Sequence, residues 1–538
     1  MVQFHALPAD TEETEVAAAL SAVMAFIATA DNAEEPQAKT AFSKTVGWKA
    51  ASRLEAAGLA RAMSGATRSK RSLWKTFVVA AALLASGLTG GLKAKADTAR
   101  DKDANDIAAA ALQFSGHGKQ RTPIRVGLVL KAKGITFDAV DGARIINMMS
   151  GATVATLPAQ SSWSLNIQGA GNLAVASRGN TPSLDKIARE AAQRGNNVRN
   201  VGYFPSRIQP LRGDLKLPTG LDALAPSALP VRASNGYLVV PGQGGNDDDL
   251  VALNGKLYRG CLWIRPTADA PAAGTKQPEP SVSVINILDL EDYLLSVLPS
   301  EMPATWPAEA LKAQAVAARS YAVANLGKHA KDGFDVKATI EDQVYSGVSA
   351  ERDSTNRAVA ETEGVVIKFG GKVITAFFHS AGGGFTELSE NVWGRNLPYL
   401  KSVPDYDDAS PHFAWTRQFT PDSLEKAFGQ DLGQILNVMI LTRSSANRVQ
   451  DALLVGSNGT RYVTGDVLRS ALKLPSTVFN VGCDENGYTF AGRGFGHGLG
   501  LSQWGAKALA EQGYNAAQIL TYYYKDVSVE SIGDALGI

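Results

Sequence analysis

Hydrophobic and polar positions change their spacing twice along the chain. Before residue 121 the strongest pattern is an apolar run, Phe77 to Leu92, preceded by Arg68, Lys70, Arg71 and Lys75 and followed by Ala94-Lys95-Ala96. From Ile124 the spacing shortens toward two residues, the period of a strand with one buried face. Ile124–Leu130 alternates in part, and Ser162–Ile167, Asn172–Ala176, Gly236–Pro241, Leu257–Ile264 and Val282–Ile287 read as further strands. Asp141-Gly142 is a hairpin turn signal. Ser183–Arg194 reads as a short amphipathic helix, and Pro210–Pro230 as loop; Ala268–Pro280 is a Pro/Ala-rich stretch.

Past Asp289 the spacing lengthens to that of helices. Asp289 caps a short helix over Glu291–Leu298, which Pro299 is expected to stop. Pro307, in a favoured first-turn position, opens a longer helix to Asn325 whose alanine face implies close packing. A third helix ends over Ala358–Glu363. It precedes a strand at Gly364–Phe369, a turn at Gly370-Gly371 and a strand at Lys372–Phe378, and another helix spans Ser502–Gln512. This order predicts an α+β protein, a core of mixed helices and antiparallel strands behind a β-rich N-terminal region. The boundaries read as a low-order extension at 1–72, the apolar segment at 73–96, a polar linker at 97–121, a β-rich accessory region at 122–281 and the core at 282–535.

Composition narrows the class. With 45% hydrophobic and 20% charged residues, the chain can bury a sizeable core and is not disordered throughout. Lys+Arg 53 against Asp+Glu 52 leaves +1, so global charge recommends neither nucleic acid nor an anionic surface. Two cysteines, Cys261 and Cys483, exclude a disulfide-dense scaffold and a Cys-rich zinc module; whether they form one bridge is open. The run Phe77–Leu92 is short for a membrane span, which needs about 20 residues. Its basic flank and Ala-x-Ala end read as a signal peptide cleaved near Asp97, against an uncleaved anchor or a buried Ala-rich helix. Met63 begins an ordinary basic n-region, so residues 1–62 read as the product of a misplaced start or as a cytoplasmic tail. An exported protein is expected, touching membrane only through its N-terminal segment.

Three motifs carry candidate chemistry. In Pro299-Ser-Glu-Met-Pro303, two prolines restrict the backbone around Glu301, beside Met302 and Trp306. Desolvation there makes a general acid; a bond to a helix N-terminus lowers the pKa instead. In Gly492–Gly500 glycines alternate with Arg493, Phe495, His497 and Leu499. This is neither a dinucleotide fingerprint nor a phosphate loop. Read as an extended segment, it offers one backbone-lined face suited to a sugar ring, and close packing on a sheet is the alternative. His379-Ser-Ala-Gly-Gly-Gly384 follows a strand but lacks G-x-S-x-G, which leaves a structural turn or a site-lining His379. The six histidines include no H-E-x-x-H, so neither a metal nor another cofactor is expected.

Several blocks together resemble the SpoIID/LytB family. They are Leu288–Leu294 with Pro299–Pro303, Glu309–Tyr321, Asp342–Gly347, Thr362–Val366, His379–Gly384, Gly492–Gly498 with Ser502-Gln503, and Tyr522–Tyr524. The matched order spans about Val282 to Val529. The resemblance implies a bacterial envelope protein acting on peptidoglycan glycan strands. It implies lytic transglycosylase activity on peptide-stripped strands, or a non-catalytic amidase enhancer that binds wall or a cell-wall amidase. It puts the catalytic acid at Glu301 and a required helical arginine at Arg319. Substrate contacts are expected from Tyr345, His379, Arg493, Phe495, His497 and Gln503. The Cys and His cluster of a zinc-binding branch of the family is missing.

Overall fold

The computed structural model describes residues 122–148, 152–168, 172–180, 228–229, 236–242, 250–268, 280–485 and 487–532. All belong to the second of the chain's two units, Arg100–Ile538. The apolar run at 77–92, the linker at 97–121 and the helix expected at 183–194 lie outside the described residues. Among the described residues no helix is long and apolar enough to cross a membrane.

Strand Pro280–Asp289 organises the fold. It lies in a seven-stranded sheet, antiparallel to Pro123–Ala132 on one side and to Cys261–Ala268 on the other. Its alternate residues enter two different cores. Val282, Val284 and Leu288 join the large core, and Ile285 and Ile287 join a smaller one with Trp263 and Phe334. Burial on both faces explains why this strand reads as a nearly continuous apolar run. A six-stranded sheet contributes Phe137, Trp163, Leu165 and Val251 to the large core. The residues on either side of position 282 thus share one sheet and one core.

Two readings of this β region need correction. Asp141-Gly142 does not close a hairpin, because the flanking strands Gly134–Ala139 and Ala143–Asn147 belong to different sheets. Leu257–Ile264 is not one strand. It divides at Gly260 into Lys256–Arg259 and Cys261–Ala268, again in different sheets. Gly260 has φ +71°, and a Cβ there would lie 2.3 Å from the Ile287 carbonyl oxygen, so this corner requires glycine.

Eight α-helices are described: α1 (Leu290–Glu301), α2 (Ala308–Ala324), α3 (Asp353–Glu361), α4 (Ser389–Trp393), α5 (Pro421–Leu432), α6 (Gly465–Leu472), α7 (Gln503–Glu511) and α8 (Ala516–Tyr523). Asp289 caps α1 through a bond to the Glu291 N–H. Pro299 does not stop α1. Its missing N–H forfeits one bond, and the helix continues to Glu301. The stop comes from Pro303, which forces Met302 into extended backbone (φ −128°, ψ 141°). Glu301 therefore ends a helix rather than sitting on a loop. Helix α2 is central, in contact with α1, α3, α7 and α8. Ala313, Ala317, Ala318 and Ala322 are fully buried, and side chains this small permit such close packing. Gly370-Gly371 does form a two-residue hairpin, with φ +56° and +79°.

Within residues 415–490 a further layer holds its own core. Two three-stranded sheets and helices α5 and α6 enclose Leu424, Phe428, Val438, Leu454, Leu468 and Phe490. The sequence pattern singles out no individual element here and gives no sign of a separate core.

Candidate active site

At the C-terminal end of α1 the Glu301 carboxylate accepts the Val344 N–H at 3.3 Å and a hydrogen bond from the Gln503 side chain. Gln343 fixes that neighbouring segment. It is fully buried and bonded to the Tyr293 hydroxyl (3.1 Å) and the Ala318 carbonyl (3.3 Å). Burial raises the Glu301 pKa above the ordinary carboxylate value, and the two accepted bonds offset part of that rise. The helix field acts in the same direction as burial, since a C-terminus carries partial negative charge.

Aromatic rings extend from this acid. Trp306 and Trp504 meet at 4.9 Å, one following Glu301 and the other following Gln503. Tyr321 of α2 packs on Phe377 at 5.9 Å, and Phe377 on Trp393 at 4.4 Å. His497 lies 5.7 Å from Trp393 and 6.3 Å from Phe377. Trp393 is 45% exposed, so the wall ends in an accessible indole. The Tyr321 hydroxyl donates to Asp342 at 3.1 Å. Asp342 also accepts the Lys337 N–H (2.8 Å), His329 Nε2 (3.0 Å) and the Lys328 ammonium. Its bonds to Lys328, Lys337 and His329 hold its pKa below the ordinary value although burial opposes them. Two carboxyl groups near Tyr321 are thus driven apart, Glu301 toward the acid and Asp342 toward the anion.

Both histidines of the expected substrate face are neutral loop struts. His379 is buried and bonds the Leu499 carbonyl through Nδ1 at 3.1 Å. His497 accepts the Leu499 N–H at 3.0 Å through Nδ1 and bonds the Phe378 backbone. One residue's two peptide groups are therefore gripped by two rings. Burial lowers both pKa values, His497 to about 3 and His379 well below the ordinary value. Neither ring is an imidazolium at neutral pH; each keeps one N–H, which its backbone contacts use. His379 is thus corrected from a substrate contact to a buried support, whereas His497 presents its ring to the aromatic wall.

The alternating glycines do not form a ribbon. Gly494, Gly496, Gly498 and Gly500 have φ of +78°, +114°, +84° and +67°, so the segment coils and buries Leu499. Phe495 pairs its backbone with Ala381 in both directions, at 3.1 and 2.8 Å. Its 43% exposed ring stacks on His412 at 4.8 Å, and Arg493 stacks on Phe413 at 5.3 Å. Gln503 does reach Glu301, whereas Arg493 and Phe495 form a separate aromatic surface.

Two further expectations meet a different placement. Tyr345 is 5% exposed, packed between Tyr258 and Tyr293, and donates to Asn286 at 2.8 Å. It is a core residue, not a surface for substrate. Arg319 is fully buried and forks onto Glu291 at 2.8 and 2.7 Å, with further bonds to the carbonyls of Val365 (3.1 Å) and Val359 (3.3 Å). Glu291 lies ten residues before Glu301 on α1, about 15 Å along the axis at 1.5 Å per residue. Arg319 therefore ties α1, α2 and α3 together and does not orient Glu301.

Tyr321, Asp342, Phe377, Trp393 and Trp504 complete the site without having been singled out as site residues. Tyr321 and Asp342 stood inside the matched blocks, while the three other aromatics carried no spacing signal. Cys261 is buried and Cys483 exposed, and neither is in a disulfide. Among the described residues no three His, Cys, Asp or Glu side chains gather in a metal-holding group.

The fold and site define a mixed α+β protein with one desolvated acid at a helix end, next to an aromatic wall shaped by two glycine loops. A family model described as "Stage II sporulation protein" matches residues 279–369, and one described as a domain of unknown function matches 399–500. An uncharacterized protein of Brachyspira hyodysenteriae is 35% identical over 289 residues, covering 52% of this chain and 74% of its own. Stage II sporulation protein D of Bacillus subtilis is 35% identical over 264 residues, 46% of this chain and 76% of that one. The amidase enhancer of Bacillus subtilis is 33% identical over 292 residues, 44% of this chain but only 40% of the enhancer. The chain belongs to the SpoIID/LytB family.

Proposed function

We propose that the protein is a peptidoglycan lytic transglycosylase of the bacterial envelope, with Glu301 as its single acid and base. The observation that carries the reading is the Glu301 carboxyl itself, buried at a helix C-terminus, bonded to Gln503 and the Val344 N–H, with its pKa raised by burial. Protonated Glu301 donates to the oxygen joining N-acetylmuramic acid to N-acetylglucosamine, and that bond breaks through an oxocarbenium-like state. The resulting carboxylate takes the proton of the muramic 6-hydroxyl, whose oxygen closes on C1 to leave a 1,6-anhydro end. An internal nucleophile has a high effective concentration, so no second carboxylate is needed to position water. The state of Asp342, committed to four donors, favours this over a paired-carboxylate hydrolysis. Gln503 and the Val344 N–H hold the carboxylate in place between the two proton transfers. Trp393 offers a face for a sugar ring.

The second reading is a wall-binding module that supports a cell-wall amidase, which the name of the Bacillus amidase enhancer favours. The two part on one experiment. The protein and its Glu301→Gln variant are incubated with intact and peptide-stripped strands, and products are read by mass spectrometry. Anhydro-ended fragments from the wild type, reduced about 10²–10⁴-fold in the variant, are expected. Products that gain water sink the transglycosylase step. Strand binding without cleavage in both proteins moves the function to the amidase-supporting module.

A further inference from the structure

The unit at residues 415–490 carries no part of the proposed chemistry, yet one of its side chains leaves its core for the site. Arg448 precedes the strand Val449–Gly456 and is 1% exposed. Its guanidinium donates to the Gly382 carbonyl at 2.9 Å, the Thr477 hydroxyl at 3.2 Å and the Gly496 carbonyl at 3.5 Å. Gly382 lies in the loop that follows His379, and Gly496 directly precedes His497. One cation thus spans both glycine loops and its own unit. The approach is close enough that a Cβ on Gly498 would fall 2.2 Å from the guanidinium, so that glycine makes room for it. A cavity of about 160 Å³ lined by Arg448, Gln450, Asp466, Asn391 and His497 marks where the unit and the loops face each other.

A buried guanidinium whose hydrogen bonds go to carbonyls and a hydroxyl is an expensive way to fill a core, because burying charge is penalised and a hydrocarbon would pack more cheaply. Its use here is geometric: a planar fork fixes the spacing of several acceptors at once. The loops it spans lead back to the acid. The Trp504 N–H donates to the Ser380 carbonyl at 3.1 Å, and Phe378-His379 pairs in parallel with Leu501-Ser502, just ahead of Gln503. A shift of the Gly382 loop is therefore transmitted to the residue that bonds Glu301.

We propose that Arg448 is a positioning residue for the Glu301 site, through which the unit at 415–490 holds the two histidine-bearing glycine loops in register. The inference rests on the reading of Glu301 as the acid. It gives that unit a task in catalysis rather than a binding role of its own.

The test uses the full chain with Arg448→Lys and Arg448→Met. Lysine keeps the charge but cannot span three acceptors, and methionine keeps the volume. Histidine ring nitrogen NMR signals are followed alongside kcat and KM on peptide-stripped strands, after far-UV circular dichroism has established folding. Displaced His379 and His497 signals are expected in both variants, with kcat/KM lowered at least ten-fold and most of the loss in kcat. Removing the positive charge also lets His497 take up its proton at higher pH in Arg448→Met than in Arg448→Lys. Folded variants with wild-type histidine signals and wild-type kcat overturn the proposal. If the wild type does not cleave strands, the acid reading falls. Displaced histidine signals then still support the clamp, and unchanged signals remove it as well.

Discussion

Replacing Arg319 by alanine separates an architectural arginine from a catalytic one. The side chain is fully buried and bidentate to Glu291 at 2.8 and 2.7 Å, and it holds two backbone carbonyls of the α3 region. Removing one partner of such a pair leaves the other underpaired and costs about 3–5 kcal/mol. Glu291 is 24% exposed and regains some water, so the lower end, about 3 kcal/mol, is expected. At roughly 2–4 °C per kcal/mol for a large domain, the melting temperature falls by about 10 °C. Glu291→Leu combined with Arg319→Met, which removes both charges, recovers much of the loss. The assay pairs calorimetric unfolding with strand cleavage at 15–20 °C, normalised to the folded fraction. Cleavage per folded molecule stays within about three-fold of the wild type, because about 15 Å of helix separates Glu291 from Glu301. A variant that keeps its melting temperature but loses cleavage refutes this account and returns Arg319 to the chemistry.

Further outcomes follow from the same geometry. In the proposed mechanism Glu301 acts first as an acid, and its pKa is raised, so kcat/KM is expected to fall as pH rises through that value, measured on strands of fixed length. Asp405 titrates near 6 instead of 3.8 because it is buried beside Asp407. The folded state therefore binds its proton more tightly than the unfolded chain, and stability is lost as pH rises from about 4 to 6, by up to about 3 kcal/mol. Urea melts of wild type and Asp405→Asn across that window should differ in slope, and parallel slopes exclude the linkage. Gly260→Ala meets the Ile287 carbonyl oxygen at 2.3 Å with φ +71°, and a loss of about 2–4 kcal/mol in chemical denaturation is expected. Trp393→Ala should raise KM for strands several-fold with little change in kcat, and an unchanged KM removes the indole from substrate contact.

The legible part of the molecule was the part whose signals are local. Period-two runs located strands such as Pro123–Ala132, Tyr237–Pro241 and Pro280–Asp289 because alternation follows from the pleat. Asp289 announced α1 because a cap works within one turn. The structure departs from that reading where two local signals compete or where a neighbour distant in sequence decides the outcome. Pro299 looked like a stop, but a proline near a helix end forfeits little, and Pro303 was the effective barrier. Leu257–Ile264 looked continuous because a strand that changes sheets keeps its alternation across the corner. Tyr345 and Arg319 stand in conspicuous blocks, yet each is taken up by a partner far along the chain, Asn286 and Glu291 respectively.

The glycine segment makes the same point about chemistry. Alternation of glycine with larger residues has two physical readings, an extended face stripped for a ligand and a coil that needs positive φ at every second residue. Composition does not distinguish them, because glycine serves both equally well. What distinguishes them is the company the segment keeps. Leu499 is held between His379 and His497, and Arg448 lies against Gly498, so the large residues of the segment face protein as often as solvent. The motif is then the shape of a support rather than a list of contacts. Its histidines grip the Leu499 backbone, which agrees with the proposal that the proton comes from one carboxyl group rather than from either imidazole. The same logic predicts which histidine variants matter. Replacing His379 by asparagine, whose amide can still donate to the Leu499 carbonyl, should retain cleavage better than replacement by leucine, which leaves that carbonyl buried without its donor. Equal loss in the two variants, with both folded, would instead mean that the imidazole itself takes part.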